Sequence, residues 1–235
     1  MAHESWAGPR GGRTSLPPAS MQEMPRIAAL LTAVLTLAAA GCGGSSDGSS
    51  TTAASTASAP AVAGTKLDAP GEATPSRPAP AIALKDSLGH RVRLADYRGK
   101  AVYLMFIYDH CPDVCPLMVS SFHTALGRMS AAERAQTRVV AVSVDPRGDT
   151  PKTVRRFLAQ RLMTGRMEYL LGSKAALASV WHEWGIKVQA TPDQREVGHS
   201  SFVYGITGSG RVRALYPSNF RPGWIAHDTP ILAAS

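Results

Sequence analysis

The sequence predicts an α/β fold in which helices flank a mixed central sheet. Residues 101–107 and 138–144 form continuous apolar runs, which are typical of strands covered on both faces. A segment with a helical spacing of apolar residues separates these runs, and two further strand patterns around a glycine-rich turn lie near the C-terminus. Strands that alternate with helices favour a sheet with helices packed against it.

The first predicted element is an N-terminal hairpin, with strands at 82–85 and 91–94. The apolar strand at 101–107 follows, and the segment 116–129 is predicted to be helical. Six apolar residues recur there at the spacing of a helix: Leu117, Met118, Phe122, Ala125, Leu126 and Met129. This order predicts a strand that leads through a short loop into a helix.

After the second apolar strand, Asp149-Thr150-Pro151 predicts the cap and first turn of another helix. A third strand is predicted at 167–171. A helix is predicted over 174–184, because Ser173 can cap its start and Gly185 can end it. The strand–helix alternation therefore continues through the middle of the chain.

A second hairpin is predicted near the C-terminus, with strands at 202–207 and 212–216 around Gly208-Ser209-Gly210. This hairpin fits a thioredoxin-like arrangement better than a doubly wound nucleotide-binding sheet. The sequence contains neither a G-x-G-x-x-G motif nor a Walker loop, so nucleotide binding is not predicted.

The N-terminal residues 1–41 have the pattern of a lipoprotein-type signal peptide. The segment 27–40 is uncharged and mostly apolar, and Ala39-Ala40-Gly41-Cys42 after it resembles a bacterial lipobox with alanine in place of the usual leucine. We expect Cys42 to carry the lipid, since several acyl chains give stable anchoring. The predicted location is the extracytoplasmic face of the cell membrane.

Residues 42–80 are predicted to be a flexible tether, because they are rich in Ser, Thr, Ala, Gly and Pro and show no hydrophobic period. A flexible chain of about 35 residues has a root-mean-square length of about 30–35 Å. The globular domain is predicted to cover 81–235. Translation could begin at Met21 or Met24 instead of the first residue, since the first 20 residues show no structural pattern.

Composition excludes several classes of function. The formal net charge is +8, but there is no Lys/Arg-rich run, so nucleic-acid binding is not predicted. No apolar run approaches the about 18–20 residues of a membrane-spanning helix, which excludes a polytopic membrane protein. Three cysteines are too few for a disulfide scaffold or a cysteine-rich zinc module.

The candidate chemistry lies directly after the strand at 101–107, where Cys111 and Cys115 occupy a strand-to-helix turn. Loops at this place in open α/β sheets commonly carry function. Cys115 and Pro116 are predicted at the start of the helix, where unpaired backbone N–H groups favour a thiolate. Two thiolates at this separation can form a disulfide or bind one soft metal ion.

The residues alone leave three interpretations of this pair open. A structural disulfide is disfavoured, because structural bridges contribute most when they close long loops. A thioredoxin-type redox pair normally has two intervening residues, whereas three separate Cys111 from Cys115. A copper site suits thiolate and imidazole ligands, but it needs a third ligand.

A histidine is the natural third ligand, and spacing alone does not single one out. His199 lies in an irregular polar loop immediately before the strand at 202–207. His110 adjoins Cys111, but neighbouring side chains diverge, so we expect it at most to support the ligands. The remaining histidines are expected to be ordinary leader, surface or packing residues: His3, His90, His123, His182 and His227.

Three motifs together resemble those of the Sco/SenC copper-chaperone family. They are YDHCPDVCP at 108–116, VSVDPRGDTP at 142–151 and Gly-His-Ser at 198–200, in the order of the family. The resemblance covers about residues 81–216. Two positions depart from the family pattern: Asp109 stands where many relatives have threonine, and Thr207-Gly208-Ser209-Gly210 replaces a common Asp-containing turn.

The resemblance implies a thioredoxin-like fold that is tethered to a membrane and binds one copper ion per domain, as Cu(I) or Cu(II). The implied ligands are Cys111, Cys115 and His199. No direct metal role follows for Asp145 or Asp149, and helix capping by the second motif is the simpler interpretation.

The resemblance also implies a function. Family members deliver copper to the dinuclear copper site of cytochrome c oxidase subunit II, or keep its cysteines reduced, so that subunit or another copper protein is the expected partner. An open three-ligand site suits a chaperone, which must release its ion and is not an enzyme in the turnover sense. The alternative is a thiol–disulfide oxidoreductase acting on partner proteins, which needs both cysteines but not His199. A peroxiredoxin-type peroxidase is a third hypothesis.

Overall fold

The computed structural model of the 235-residue chain describes residues 66–190, 197–198 and 201–235. The predictions for the signal at 1–41, for Cys42 and for His199 lie outside these ranges. Within them, no helix combines the length and the hydropathy that a membrane span needs.

Eight strands form one mixed sheet, and two short strands form a separate ladder. The strands in chain order are β1 (Gly71–Pro78), β2 (Ala83–Asp86), β3 (Arg91–Arg93), β4 (Ala101–Ile107), β5 (Thr137–Ser143), β6 (Glu168–Leu171), β7 (Gln189–Ala190), β8 (Val197–Gly198), β9 (Phe202–Ile206) and β10 (Arg211–Pro217). The main sheet has the order β1-β10-β9-β4-β5-β6-β2-β3, and β7 pairs with β8.

Helices pack on both faces of the main sheet. They are α1 (Val114–Arg128), α2 (Ala131–Ala135), α3 (Pro151–Gln160), α4 (Lys174–Trp184) and α5 (Pro222–Ala233), with a short 3-10 turn at Leu94–Tyr97. Strands β4, β5 and β6 run parallel, and β9 runs antiparallel to β4. The predicted α/β class, the mixed sheet and the hairpin of β2 with β3 are confirmed.

Every residue of β4 is buried, as its continuous apolar sequence predicts. On one face Tyr103 contacts Phe122 of α1, with ring centroids 5.7 Å apart, and its hydroxyl donates to the carbonyl oxygen of Ile225 in α5 at 3.0 Å. On the other face Phe106 contacts Trp184 of α4, with centroids 5.9 Å apart. Side chains alternate between the faces of a strand, so β4 is the centre of a three-layer core.

The folded region begins earlier than the predicted tether of 42–80 allows. Strand β1 pairs antiparallel with β10, and Ala69 just before it is buried. The backbone N–H groups of Asp68 and Ala69 donate to the carboxylate of Asp228 in α5, at 2.7 and 3.0 Å. Backbone pairing and this buried acceptor hold the segment, although its own sequence, GEATPSRP in β1, is not apolar.

Candidate metal centre

The two cysteines follow the carboxyl end of β4, in the loop that leads into α1. Helix α1 begins at Val114, two residues earlier than predicted, so Cys115 is its second residue and Pro116 its third. A missing N–H at that position costs no helical hydrogen bond, because the first four N–H groups of a helix have no internal partner. Cys111 is half-buried, Cys115 is fully buried, and neither is in a disulfide.

The two sulfur atoms are hydrogen-bonded to each other, and this bond makes them chemically different. The Cys115 thiol donates to Cys111 and lowers the pKa of Cys111 to about 5, against the opposing effect of burial. The backbone N–H groups of Asp113 and Cys115 and the hydroxyl of Tyr108 lower this pKa further. Cys111 is therefore a thiolate at neutral pH.

Cys115 has the opposite character. Its hydrogen bond to Cys111 raises the pKa of the Cys115 thiol far above its ordinary range, and burial and the negative charge of Cys111 act in the same direction. The pair thus consists of one accessible thiolate and one buried thiol that holds its proton. A metal ion that binds both sulfur atoms must displace that proton, and a disulfide must release it.

A buried carboxyl group lies behind the cysteine loop. Asp149 accepts hydrogen bonds from the hydroxyl of Ser143 at 2.6 Å, from the hydroxyl of Tyr169 at 2.8 Å and from the backbone N–H of Asp109 at 2.9 Å. Burial raises the pKa of Asp149 to about 7, and these three donors oppose the increase. Asp149 therefore connects the carboxyl ends of β4 and β5 with β6.

Thr150, and not Asp149, caps helix α3. The Thr150 hydroxyl accepts from the backbone N–H of Thr153 at 3.2 Å, and Pro151 occupies the first helical position. The predicted cap-and-proline start is confirmed, but the carboxyl group of Asp149 points inward. The sequence did not predict the buried position of Asp149. Asp and Thr are both common N-cap residues, so the motif does not show which of them caps α3.

The imidazole of His110 lies between two carboxylates. Its Nδ1 is 3.2 Å from Oδ1 of Asp109, and its Nε2 is 3.4 Å from Oδ2 of Asp145. The ring also packs edge-on against Tyr108, with centroids 4.8 Å apart. Both ring nitrogen atoms therefore face acidic oxygen atoms, so the structure gives His110 a setting that the sequence did not predict.

Three other histidines also pair with acidic side chains. His90 contacts Asp86 at 3.2 Å, His182 contacts Glu183 at 3.7 Å, and His227 contacts Asp228 at 2.8 Å. These contacts are on separate elements of the fold.

The donor set of the two cysteines fits a soft metal ion such as copper. Thiolate sulfur is a soft ligand that suits Cu(I), and adding an imidazole nitrogen extends the set to Cu(II). Strand β9, which follows residue 199, begins at the end of the sheet where β4 ends, because Val203 pairs with Met105. The start of β9 and the cysteine loop therefore lie at the same edge of the sheet.

Comparison with known proteins gives consistent results. Residues 73–233 match the SCO1/SenC family model. The SCO1 homolog of Bacillus subtilis is 28% identical over 134 residues, which cover 54% of this chain and 67% of that protein. The mitochondrial SCO2 homolog of Bos taurus is 28% identical over 137 residues, covering 55% of this chain and 51% of the bovine protein.

A solved structure extends the similarity to three dimensions. The copper-bound structure of Bradyrhizobium japonicum ScoI superposes with a TM-score of 0.57 at 25% sequence identity. The match covers 66% of this chain and 98% of that chain. The thioredoxin-like fold expected from the sequence is thereby confirmed.

Proposed function

The chain belongs to the SCO1/SenC family, and from this premise we propose that it is a membrane-tethered, extracytoplasmic copper chaperone. Its client is the dinuclear copper site of cytochrome c oxidase subunit II or another copper protein, to which it delivers copper or whose cysteines it prepares. The observation that carries the proposal is the pairing of an accessible thiolate, Cys111, with a buried thiol, Cys115, at the open edge of the sheet.

Copper is the cargo, and its ligands in this proposal are Cys111, Cys115 and His199, with one ion per domain. The ionised Cys111 supplies a ligand without loss of a proton, and its partial exposure allows a client thiolate to approach the ion. Three protein ligands leave a coordination position open for that exchange. Support for His199 comes from the family motif and from the position of β9 beside the cysteine loop.

The tether and the location rest on the N-terminal sequence. Cys42 would carry the lipid anchor after removal of residues 1–41, and the chain before residue 66 would let the folded region reach a client above the membrane. The described domain then works on the extracytoplasmic face of the cell membrane.

Thiol–disulfide exchange with a partner protein is the second candidate function. The specific observation in its favour is the pKa of about 5 at Cys111, because an exposed, ionised thiol is the reactive form in exchange. In that function Cys111 attacks a client disulfide and Cys115 resolves the mixed disulfide. His199 has no part in these steps.

Oxidase assembly in cells separates the two functions. The test measures copper in the dinuclear site of the oxidase in cells that carry His199→Ala, Cys111→Ser or the control His182→Ala, which changes an exposed histidine on α4. Copper delivery predicts that both site variants lose loading and the control retains it. Normal loading in His199→Ala cells together with loss in Cys111→Ser cells would favour thiol exchange and overturn copper ligation by His199.

A further inference from the structure

A second group of metal-binding side chains lies beside the dithiol, on residues to which neither the family motif nor the proposed function assigns a ligand role. One potential ligand atom from each of Asp109, His110 and Asp149 lies within 4.8 Å of the others. Asp109 and His110 belong to the loop after β4, and Asp149 belongs to the loop after β5. The cluster therefore joins two loops that are far apart in sequence.

An unpartnered buried oxygen distinguishes this cluster from a solvated acidic surface. The side chain of Asp109 is only 6% exposed, yet its Oδ2 atom has no hydrogen-bond partner among the described residues. A buried polar atom without a partner is costly, and in native proteins it commonly indicates a ligand, an ion or a water. Its other oxygen, Oδ1, is 3.2 Å from Nδ1 of His110, so the carboxyl group is turned toward the imidazole.

The imidazole of His110 is already oriented as a metal ligand would be. Histidines that bind metal through one ring nitrogen usually direct the other toward a carboxylate or a carbonyl. Nδ1 faces Asp109, and Nε2 lies 3.4 Å from Oδ2 of Asp145. An ion bound between Nδ1 and Asp109 would replace their direct contact, while Asp145 holds the ring in orientation through Nε2.

The backbone of the second loop is shaped to admit this ring. A Cβ atom at Gly148 would collide with the carboxylate of Asp145 and would lie 2.6 Å from Cε1 of His110. Only glycine leaves room for His110 and Asp145 to stay in place. The loop after β5 therefore provides one wall of the cluster.

We propose that Asp109, His110 and Asp149 form a second cation site that takes a divalent ion of borderline hardness, such as Zn²⁺. Carboxylate oxygen and imidazole nitrogen suit such ions, whereas the two cysteines form a soft site. The bound ion would connect the loops after β4 and β5 and would give the buried carboxylate of Asp109 a positively charged partner.

The test uses Zn²⁺ and the full chain with Cys111→Ser and Cys115→Ser, so that the soft site is removed. Titration calorimetry should find one Zn²⁺ per chain, with its affinity lowered at least about tenfold by Asp109→Asn and about 10–100-fold by Asp145→Asn, which removes the orienting carboxylate. The matched control is Asp113→Asn, which changes an exposed carboxylate in the same loop and should leave the affinity unchanged. Equal Zn²⁺ affinity in the parent and in Asp109→Asn would overturn the proposal.

A second measurement covers the case in which the serine variants do not fold. In the chain with both cysteines intact, Asp109→Thr should bind one Zn²⁺ fewer than the unchanged chain, because only the cysteine site remains. Added Zn²⁺ should then raise the melting temperature less in Asp109→Thr than in the unchanged chain, since binding to the native state stabilises it. Equal stoichiometry in the two chains contradicts the site. His199→Ala should leave the carboxylate-bound Zn²⁺ in place, so failure of the copper proposal and failure of this one give different results.

Discussion

The hydroxyl of Tyr169 donates a 2.8 Å hydrogen bond to the buried carboxyl group of Asp149. Tyr169 is fully buried in β6, and its hydroxyl also lies 3.2 Å from the carbonyl oxygen of Ile107 at the end of β4. One side chain thus connects the strand that carries the cysteine loop with the carboxyl group behind that loop. These contacts join β4, the loop after β5, and β6, which are neighbours in the sheet.

Tyr169→Phe should lower the free energy of unfolding by about 1–3 kcal/mol, because a buried acceptor loses its donor. Urea denaturation of the full chain measures the change. The control is Tyr204→Phe: Tyr204 packs against Trp184, and the described residues offer no hydrogen bond to its hydroxyl. A Tyr169→Phe variant as stable as the control would show that the hydroxyl of Tyr169 contributes nothing.

The pH dependence of stability should change when Asp149 can no longer ionise. Burial raises the pKa of Asp149 from an ordinary value of 3.8 to about 7. Between these values the native state binds more protons than the unfolded state, so the contribution of Asp149 to stability is lost as the pH rises from about 4 to about 7. Asp149→Asn should remove this part of the pH dependence.

Urea midpoints measured at several pH values between 4 and 8 test this sign. The difference in stability between the unchanged chain and Asp149→Asn should shift in favour of the variant as the pH rises. Asp113→Asn is the control, since it replaces an exposed carboxylate and should follow the unchanged chain. A difference that is constant with pH would contradict a raised pKa at Asp149.

Alkylation should distinguish the two cysteines. Iodoacetamide reacts with the thiolate, so the rate of modification at Cys111 should rise with pH around a midpoint of about 5, while buried Cys115 reacts slowly. Cys115→Ala removes the main donor to Cys111 and should move this midpoint upward. Peptide mapping after alkylation gives both rates. Faster modification of Cys115 than of Cys111 would reverse the assignment.

The elements that the sequence predicted well are those whose signals are local. Strand β4 has the predicted bounds, because seven consecutive apolar residues are needed only where both faces are covered. Helix α4 also has its predicted bounds: the Ser173 hydroxyl accepts from the backbone N–H of Ala176, and Gly185 ends the helix with a φ of 68°. Caps and periodic patterns depend on neighbouring residues, so sequence alone reveals them.

The elements that the sequence did not predict depend on distant partners. Helix α5 contains Pro230 and a fully buried Asp228, which no helical pattern would place in a core. Asp228 is satisfied by the hydroxyl of Tyr216 at 2.8 Å and by the backbone of the segment before β1. The segment that leads into β1 is therefore held by α5, from which it is separated by about 160 residues of sequence.

The candidate site also has features that the sequence predicted and features that depend on distant residues. The position of both cysteines after β4 followed from the sequence, because a strand-to-helix turn is a local feature. The contacts of Asp149 with Ser143 and Tyr169 did not, because they require β5 and β6 to be neighbours in the sheet.

Membrane attachment should depend on Cys42. Cys42→Ser removes the residue that the lipobox pattern marks for lipid attachment, so the protein should leave the membrane fraction. Fractionation and immunoblotting measure the distribution, and mass spectrometry shows whether residues 1–41 have been removed. Cys111→Ser is a matched control that leaves the anchor intact. A Cys42→Ser protein that stays in the membrane fraction with residues 1–41 attached would contradict lipid anchoring at this position.

The last prediction concerns Cu(II) binding and His199. In the proposed site the imidazole supplies one of three bonds, and its loss leaves two sulfur ligands. Such a pair can still hold Cu(I), because soft thiolates suit that ion, but it should hold Cu(II) poorly. The thiol–disulfide chemistry of Cys111 and Cys115 requires no imidazole, so the reduction potential of the pair should change little.

His199→Ala should therefore abolish the cysteine-to-Cu(II) charge-transfer absorption while the reduction potential of the dithiol stays close to that of the unchanged chain. Absorption spectra with one equivalent of Cu(II) and equilibration with glutathione redox buffers measure the two properties. His182→Ala controls for loss of a histidine elsewhere, since His182 lies exposed on α4. If the charge-transfer band persists in His199→Ala, His199 does not bind the ion and another donor at this edge of the sheet must complete the site.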